Sequence, residues 1–167
     1  MSKVLMGPGP CNVHPSVLEA LSKPLLGHLD PDFLEIMAEI KSLLQYGFQT
    51  QNELTFAVSA PGSAGMETCL VNLLEPGDEA IICIHGVFGG RMAEIARRCG
   101  AKVTTVEAPW GTPIDPDDVR AALQRSQPKL VAIVHAETST GVLQPLDEIS
   151  RMTHEAGALL VVDTVTS

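Results

Sequence analysis

Four short segments of the sequence combine small, hydroxyl, aromatic and acidic residues near the ends of predicted strands. The first is SAPGSAGME at residues 59–67, where a predicted strand leads into a predicted helix. The free N–H groups and the dipole of a helix N-terminus attract anions, and Gly62 would let a phosphate approach the backbone closely. The segment is neither a Walker loop nor a GxGxxG dinucleotide motif. Small residues at such a junction also serve packing alone, so both interpretations stay open at this point.

The second segment contains Asp163, the first charged residue after the apolar run ALLVV at residues 158–162. This run predicts a buried strand, so Asp163 should lie at its carboxyl end. Burying a carboxylate without a partner costs free energy, and such an acid normally pairs with a cation, a metal or a hydrogen-bond donor. A helix cap or a solvated turn is the alternative.

The third and fourth segments are HAETSTG at residues 135–141 and GVFGG at residues 86–90. The H-x-E fragment occurs in zinc deaminases, but the Pro-Cys-x-x-Cys that completes their ligand set does not follow, so we predict no metal site. The hydroxyls around Thr138 suit either a site or a capping turn. Phe88 brings one of few aromatic side chains to the same region, with core packing as the alternative.

The elements that must position these segments alternate between apolar β-branched runs and helical patterns. Near-continuous apolar strands joined by crossover helices predict an α/β fold of three layers, with a mostly parallel sheet and helices on both faces. Ligands of such sheets bind beyond the carboxyl ends of the strands, so the four segments should meet there. The predicted strands cover residues 54–59, 79–84, 102–107, 130–135 and 159–162, and the predicted helices cover residues 31–46, 63–74, 89–99, 116–124 and 146–156.

Composition excludes several classes of function. A net charge of -9 and a pI near 4.9 oppose nucleic-acid binding, which needs clustered Lys and Arg. The apolar runs are too short to cross a bilayer, and the first residues do not form a secretory signal. The four cysteines contain no CxxC pair, which is typical of free thiols in a reducing compartment. We therefore expect a cytoplasmic protein without a nucleic-acid or membrane partner, with an organellar location in a eukaryote left open.

Taken in order, GPGP, GSAGME, LLEPGD, GVFG, HAETSTGVLQPL and LLVVDTVTS resemble the class V aminotransferases of fold type I, over essentially the whole chain. The branch that the sequence resembles most is that of the alanine–glyoxylate and serine–pyruvate aminotransferases. The resemblance implies pyridoxal 5'-phosphate as cofactor and a homodimer in the full-length form. It also implies that residues 1–20 approach the active site or the partner subunit, and that residues 21–167 form an incomplete fold-type I cofactor-binding large domain.

The resemblance further assigns roles to individual residues. Gly62 and Ser63 fall where donors bind the cofactor phosphate, and Phe88 falls where an aromatic side chain stacks on the pyridine ring. Thr138 matches the hydroxyl that bonds the phenolic oxygen of the ring, and Asp163 matches the carboxylate that bonds the ring nitrogen. A carboxylate about 4 Å from that nitrogen gains on the order of 4 kcal/mol at an effective dielectric near 20, which favours the protonated ring that acts as an electron sink.

Two glycines of the GPGP segment, Gly7 and Gly9, match the segment that approaches the substrate carboxylate in the family. Relatives from animals carry His where this chain has Ser63 and Trp where it has Phe88.

The family also requires a Schiff-base lysine that moves the α-proton. Lys102 and Lys129 precede strands and should lie at the opposite edge of the sheet, and the remaining lysines belong to the N-terminal region. We therefore expect no catalytic residue in this chain, with the lysine and a carboxylate-binding arginine beyond Ser167 and the chain itself inactive. The lysines considered are Lys3, Lys23, Lys41, Lys102 and Lys129.

The function implied for the parent protein is amino transfer from alanine or serine to glyoxylate or another small 2-oxo acid. Two alternatives stay open. One is a ureidoglycine–glyoxylate or pyridoxamine–pyruvate type of transaminase, and the other is a non-catalytic module of the same fold.

Overall fold

The computed structural model describes residues 3–6 and 9–167. The chain divides into two compact units, Met1–Ser59 and Ala60–Ser167. This division reflects which residues pack together into a compact unit. The boundary predicted between residues 20 and 21 separates parts with different functions, and it stays a prediction.

The described part of the first unit contains two helices, α1 (Pro15–Leu21) and α2 (Pro31–Gly47). Each begins at a proline, which has no N–H to satisfy in the first helical turn. The residue before each proline caps the helix, and the Asp30 carboxylate accepts the N–H of Asp32 at 2.9 Å. Neither helix contains a buried residue, and Leu25 and Tyr46 are almost fully exposed. Helix α2 was predicted, whereas α1 is too short to give a periodic apolar pattern.

Residues 54–59 do not form the predicted strand, and this prediction was wrong. The segment has apolar residues with strand propensity, but a strand forms only beside a hydrogen-bonded neighbour. Among the described residues it has no such neighbour, and Leu54 and Phe56 are 87% and 60% exposed.

The second unit is built on a sheet. Within residues 60–167, four parallel strands pair in the order β2-β1-β3-β6. Two short strands that come between β3 and β6 in the sequence, β4 and β5, form a separate antiparallel pair. Of the predicted strands in this unit, β1 and β2 have the predicted bounds and the other two differ by one residue. The strands are β1 (Glu79–Ile84), β2 (Lys102–Glu107), β3 (Leu130–Val134), β4 (Ala136–Glu137), β5 (Val142–Leu143) and β6 (Leu159–Asp163).

Helices cover both faces of this sheet, because successive strand residues point to opposite sides. Ile82 of β1 packs in one apolar cluster with α3 and α4, and Ile81 packs in a second cluster with α5 and α6. The predicted three-layer arrangement is therefore confirmed. The helices are α3 (Gly62–Leu73), α4 (Val87–Arg98), α5 (Pro116–Leu123) and α6 (Asp147–Glu155).

The cysteines and the lengths of the helices can also be described. All four cysteines fall in the described residues and are free thiols, and burial raises the pKa of the Cys83 thiol to about 12. Among the helices of the described residues, none has the length and apolar character that a membrane crossing needs.

Helix α4 crosses β1 closely at Gly89. A Cβ placed there would lie 2.7 Å from the carbonyl oxygen of Cys83 and 3.0 Å from the Cα of Ile84. Both contacts are backbone atoms of a central strand, which cannot move aside without disturbing the sheet.

We therefore expect Gly89→Ala to lower the free energy of unfolding by about 1–3 kcal/mol, as overpacking of a core does. The neighbouring Gly90 is the matched control, since an added Cβ would meet no heavy atom within 4 Å. Gly90→Ala should stabilise the helix by up to about 1 kcal/mol. Urea unfolding of both variants measures the difference, and equal effects would contradict the close crossing.

Candidate functional site

A cavity of about 130 Å³ lies beyond the carboxyl ends of β3 and β6 and against the first turns of α3 and α4. The five residues predicted to bind a cofactor all line it, so the structure brings together the four segments that the sequence singled out. The individual roles of these residues stay predictions. The lining residues are Pro61, Gly62, Ser63, Met66, Phe88, Val134, Ala136, Thr138, Asp163 and Val165.

One end of the cavity is formed by the N-terminus of α3. Pro61 is the residue before the helix, and no side chain caps it. The N–H groups of a first helical turn have no acceptor within the helix, and they carry the positive end of its dipole. Space at this end is tight, because a Cβ at Gly62 would lie 2.7 Å from Cγ2 of Val165. Glycine at this position therefore leaves room for the side chain of Val165 beside the first turn of α3.

Arg91 adds a positive charge near this end. Its Nη1 donates a hydrogen bond to Oγ of Ser63 at 2.7 Å, which connects α4 to the first turn of α3. Sequence reasoning missed Arg91, although its position three residues after Phe88 places both on one side of a helix.

Asp163 also lines the cavity and is half-buried at the last position of β6. Its Oδ1 accepts the N–H of Val165 at 3.0 Å, which is the turn role that the sequence left open. Among the described residues, no Lys, Arg or His forms an ion pair with this carboxylate. A carboxylate that faces a cavity without a counter-charge suits a ligand with a cationic or hydrogen-bond donating group.

Thr138 and Phe88 complete the walls. Oγ1 of Thr138 lies 3.1 Å from Oγ1 of Thr166, which in turn donates to the carbonyl of Ala136 at 2.7 Å. Because Thr166 uses its only hydroxyl hydrogen in that bond, Thr138 is the donor to Thr166, and a ligand oxygen could replace Thr166 as acceptor. Phe88 packs partly against the apolar cluster under α3 and α4, so it serves the core and the cavity together.

The remaining predicted residues lie elsewhere. Gly7 falls outside the described residues and Gly9 belongs to the first unit, so the role predicted for both stays a prediction. Lys102 is the first residue of β2, and Lys129, just before β3, pairs with Asp78 at 2.8 Å. Both lysines thus lie at the amino-terminal edge of the sheet, as predicted. In the described part of the chain, no lysine lines the cavity.

Comparison with known proteins identifies the family, because residues 9–167 match the family described as Aminotransferase class-V. The chain belongs to the class-V aminotransferases. It is 45% identical over 166 residues to the alanine–glyoxylate aminotransferase of Mus musculus, which covers 99% of this chain and 40% of that protein. It is 41% identical over 165 residues to the (S)-ureidoglycine–glyoxylate transaminase of Bacillus subtilis (strain 168), with 99% and 40% covered.

A solved structure of a class-V aminotransferase shares the fold. The crystal structure of alanine–glyoxylate aminotransferase from Nostoc sp. matches with a TM-score of 0.94 at 50% identity, covering 100% of this chain and 44% of that one. The predicted fold type is therefore confirmed. The chain spans about two fifths of the length of the curated relatives.

Pyridoxal phosphate is the cofactor that membership of the class-V aminotransferases implies. The chemistry of the cavity fits it. The uncapped N-terminus of α3, which begins at Gly62, offers N–H groups for a phosphate, and Phe88 offers an aromatic face. Thr138 offers a hydroxyl for an oxygen on the ring, and Asp163 is a carboxylate without a counter-charge for the ring nitrogen.

His85 was not singled out in the sequence, yet it directly follows β1 and is fully buried. Neither ring nitrogen has a hydrogen-bond partner among the described residues. Burial lowers the pKa of His85 from its ordinary 6.5, and the nearby Glu137 carboxylate opposes that shift. Burial therefore favours the neutral form of the imidazole in the folded protein.

This burial predicts a pH dependence of stability. When the pH falls below about 6.5, the unfolded chain takes up a proton at His85 more readily than the folded chain does, so the free energy of unfolding decreases. The slope from this one group is at most about 1.4 kcal/mol per pH unit. His85→Gln should flatten the pH dependence between pH 7 and pH 5 in urea unfolding.

The control is His28→Gln, which replaces an exposed histidine and should leave the slope unchanged. A slope that is the same in His85→Gln and in the parent would contradict the neutral, buried imidazole.

Proposed function

We propose that the protein to which this chain belongs transfers an amino group from alanine or serine to glyoxylate or another small 2-oxo acid, using pyridoxal phosphate. The observation that carries the proposal is the cavity, where an uncapped helix N-terminus, an aromatic side chain, a hydroxyl and an unpaired carboxylate meet. The similarity to alanine–glyoxylate aminotransferases, at 45% and 50% identity, supports the choice of substrates.

The residues at the cavity have different roles in binding the cofactor. The first turn of α3, with Gly62 and Ser63, binds the phosphate through N–H and hydroxyl groups, and Arg91 adds positive charge beside them. Phe88 covers one face of the ring and excludes water from it. Thr138 orients the ring through its phenolic oxygen.

Asp163 has the chemical role. A carboxylate beside the ring nitrogen favours the protonated form of that nitrogen, and the interaction is on the order of 4 kcal/mol at about 4 Å and an effective dielectric near 20. The bound cofactor then supplies a cationic ring that withdraws electrons from the substrate. The free Oδ2 of Asp163 is the atom that holds the proton at the ring, while Oδ1 keeps its bond to Val165.

The proposed reaction also needs a lysine that attaches the cofactor and an arginine that binds the substrate. No lysine is among the described residues that line the cavity, and we propose that the lysine that attaches the cofactor comes from elsewhere in the protein. We propose the same origin for the arginine that binds the substrate carboxylate.

We also propose a homodimer in the cytoplasm. Helices α1 and α2 bury no residue of their own and carry exposed apolar side chains, as surfaces do that associate with another chain. Four free cysteines suit a reducing compartment.

The amino donor has a second candidate. The 41% identity to the ureidoglycine–glyoxylate transaminase of Bacillus subtilis favours (S)-ureidoglycine as an alternative donor to glyoxylate. Comparing kcat/KM for alanine, serine and (S)-ureidoglycine with glyoxylate as acceptor separates the two, and the preferred donor has the largest value.

Asp163→Asn tests the reaction itself. In Asn the Oδ1 acceptor for Val165 is retained, so the turn should persist while the negative charge is lost. Loss of an interaction on the order of 4 kcal/mol corresponds to a decrease in turnover of about 1000-fold. The measurement is alanine–glyoxylate turnover by the full-length protein.

Asp147→Asn is the control, because Asp147 is an exposed carboxylate in the first turn of α6. It should keep the activity of the parent. Turnover near the parent value in Asp163→Asn would show that the carboxylate does not assist the ring.

Arg91→Gln tests the phosphate end of the cavity. Removing the guanidinium takes away a charge beside Ser63 and should weaken binding of pyridoxal phosphate to the apoprotein about tenfold, since hydrogen bonds to charged groups are worth about 1.5–3 kcal/mol. Pyridoxal without the phosphate should bind the variant and the parent equally.

Arg98→Gln is the matched control on the same helix, where Arg98 pairs with Glu94. It should leave both affinities unchanged. Equal weakening of both ligands in Arg91→Gln would mean that Arg91 does not act on the phosphate.

A further inference from the structure

Glu137 is a buried carboxylate that the proposed reaction does not use. It lies in β4, just after β3, and only 1% of its surface is exposed. The sequence drew attention to it only as part of an H-x-E fragment. Its neighbours in the sequence, Ala136 and Thr138, both line the cavity, whereas Glu137 itself is buried beside it.

Four hydrogen bonds hold this carboxylate. Oε2 accepts the N–H of Phe88 at 3.2 Å and the N–H of Gly89 at 3.3 Å. Oε1 accepts the hydroxyl of Ser139 at 2.6 Å and its N–H at 3.3 Å. All of these donors come from two segments, the first turn of α4 and the turn after β4.

Together, Glu137 and Ser139 replace the cap that α4 lacks. The residue before the helix is Gly86, so no side chain of its own segment caps the helix. Oγ of Ser139 accepts the N–H of Val87 at 2.9 Å, and Glu137 accepts the next two. The first three N–H groups of α4 are thus satisfied from the turn after β3, and the negative charge lies at the positive end of the helix dipole.

The fit between the two segments is close at Gly86. A Cβ there would lie 2.6 Å from Oγ of Ser139 and closer still to Cγ and Cδ of Glu137. The backbone of Gly86 is extended, so the requirement for glycine at this position comes from space. The carboxylate occupies the room that a side chain would need, which leaves little freedom for α4 to shift.

Two residues of the cavity wall depend on this arrangement. The backbone N–H of Phe88 is bonded to Glu137, and Thr138 follows Glu137 in the chain. We propose that Glu137 is a positioning residue that fixes the aromatic wall of the cavity relative to the hydroxyl wall, and so sets the orientation of the cofactor ring. This inference rests on the proposed function, because it takes pyridoxal phosphate as the ligand.

Glu137→Gln tests the proposal with almost no change in volume. The amide turns one acceptor into a donor, which opposes the N–H groups of α4 or the donors of Ser139. The apo form of the full-length protein is titrated with pyridoxal phosphate, in the parent and in a Phe88→Ala background. We expect Glu137→Gln to weaken the binding of pyridoxal phosphate about tenfold in the parent background. In the Phe88→Ala background it should change that affinity by no more than about twofold.

Circular dichroism of the bound cofactor gives a second measurement. At saturation, its visible band reports the orientation of the ring in the site, so Glu137→Gln should change the amplitude of that band while Phe88 is present. Equal weakening in both backgrounds, together with an unchanged band, would mean that Glu137 only stabilises α4 and would overturn the proposal.

Asp115→Ala is the matched control for a lost cap. The Asp115 carboxylate caps α5 by accepting the N–H of Asp117 at 2.9 Å, away from the cavity. Its removal should lower the melting temperature by a few degrees while affinity and circular dichroism stay as in the parent. A change of both in Asp115→Ala would mean that any loss of stability alters the site, which overturns the proposal.

A fallback variant and two binding results complete the test. If Glu137→Gln does not fold, Ser139→Ala replaces it, since it removes the cap of Val87 and the hydroxyl bond to Glu137. Its effect on affinity should again require Phe88. A parent protein that binds no pyridoxal phosphate would overturn the proposed function and this inference with it. A parent that binds while both variants bind equally well would overturn this inference alone.

Discussion

The parallel pairing of β1, β3 and β6 is the constraint on which the site depends. Parallel strands end at one edge of a sheet, so the segments that follow them leave side by side. The register places Val134 opposite Asp163, and the N–H of His135 continues the pairing by donating to the carbonyl of Asp163 at 2.9 Å. The hydroxyl turn after β3 and the carboxylate of β6 therefore meet because of backbone hydrogen bonds, before any side chain contributes.

The surroundings of the cavity carry charge of both signs. The uncapped N-terminus of α3 and the guanidinium of Arg91, which bonds to Ser63, contribute positive charge, whereas Asp163 contributes negative charge. A ligand with an anionic group and a protonated nitrogen is favoured when each group lies near the charge of opposite sign. Met66, Val134 and Phe88 add apolar surface to the lining, which suits a flat ring. The charges and the apolar surface thus favour the same kind of ligand.

Local patterns in the sequence predicted the sheet and the main walls of the cavity because these features are encoded locally. Each buried strand is a short apolar run, and the Asp115-Pro116 pair marks the start of α5. The wrong and missed predictions concern features that no local sequence pattern encodes. Residues 54–59 have no pairing neighbour in the part of the chain that the structure describes. Glu137 bonds to donors 48 and 49 residues away, so nothing near it in sequence indicates a helix cap. Arg91 was missed because a single exposed arginine forms no motif.

The close packing at Gly86 also determines how this region can vary among related sequences. Positions 86 and 137 share one volume, which the carboxylate of Glu137 fills at present. A side chain at position 86 is compatible with the fold only if residue 137 becomes smaller, and a smaller residue 137 leaves the first turn of α4 uncapped. The two positions are therefore expected to change together, with the new residue at position 86 itself able to cap the helix, as Ser, Asp or Asn can.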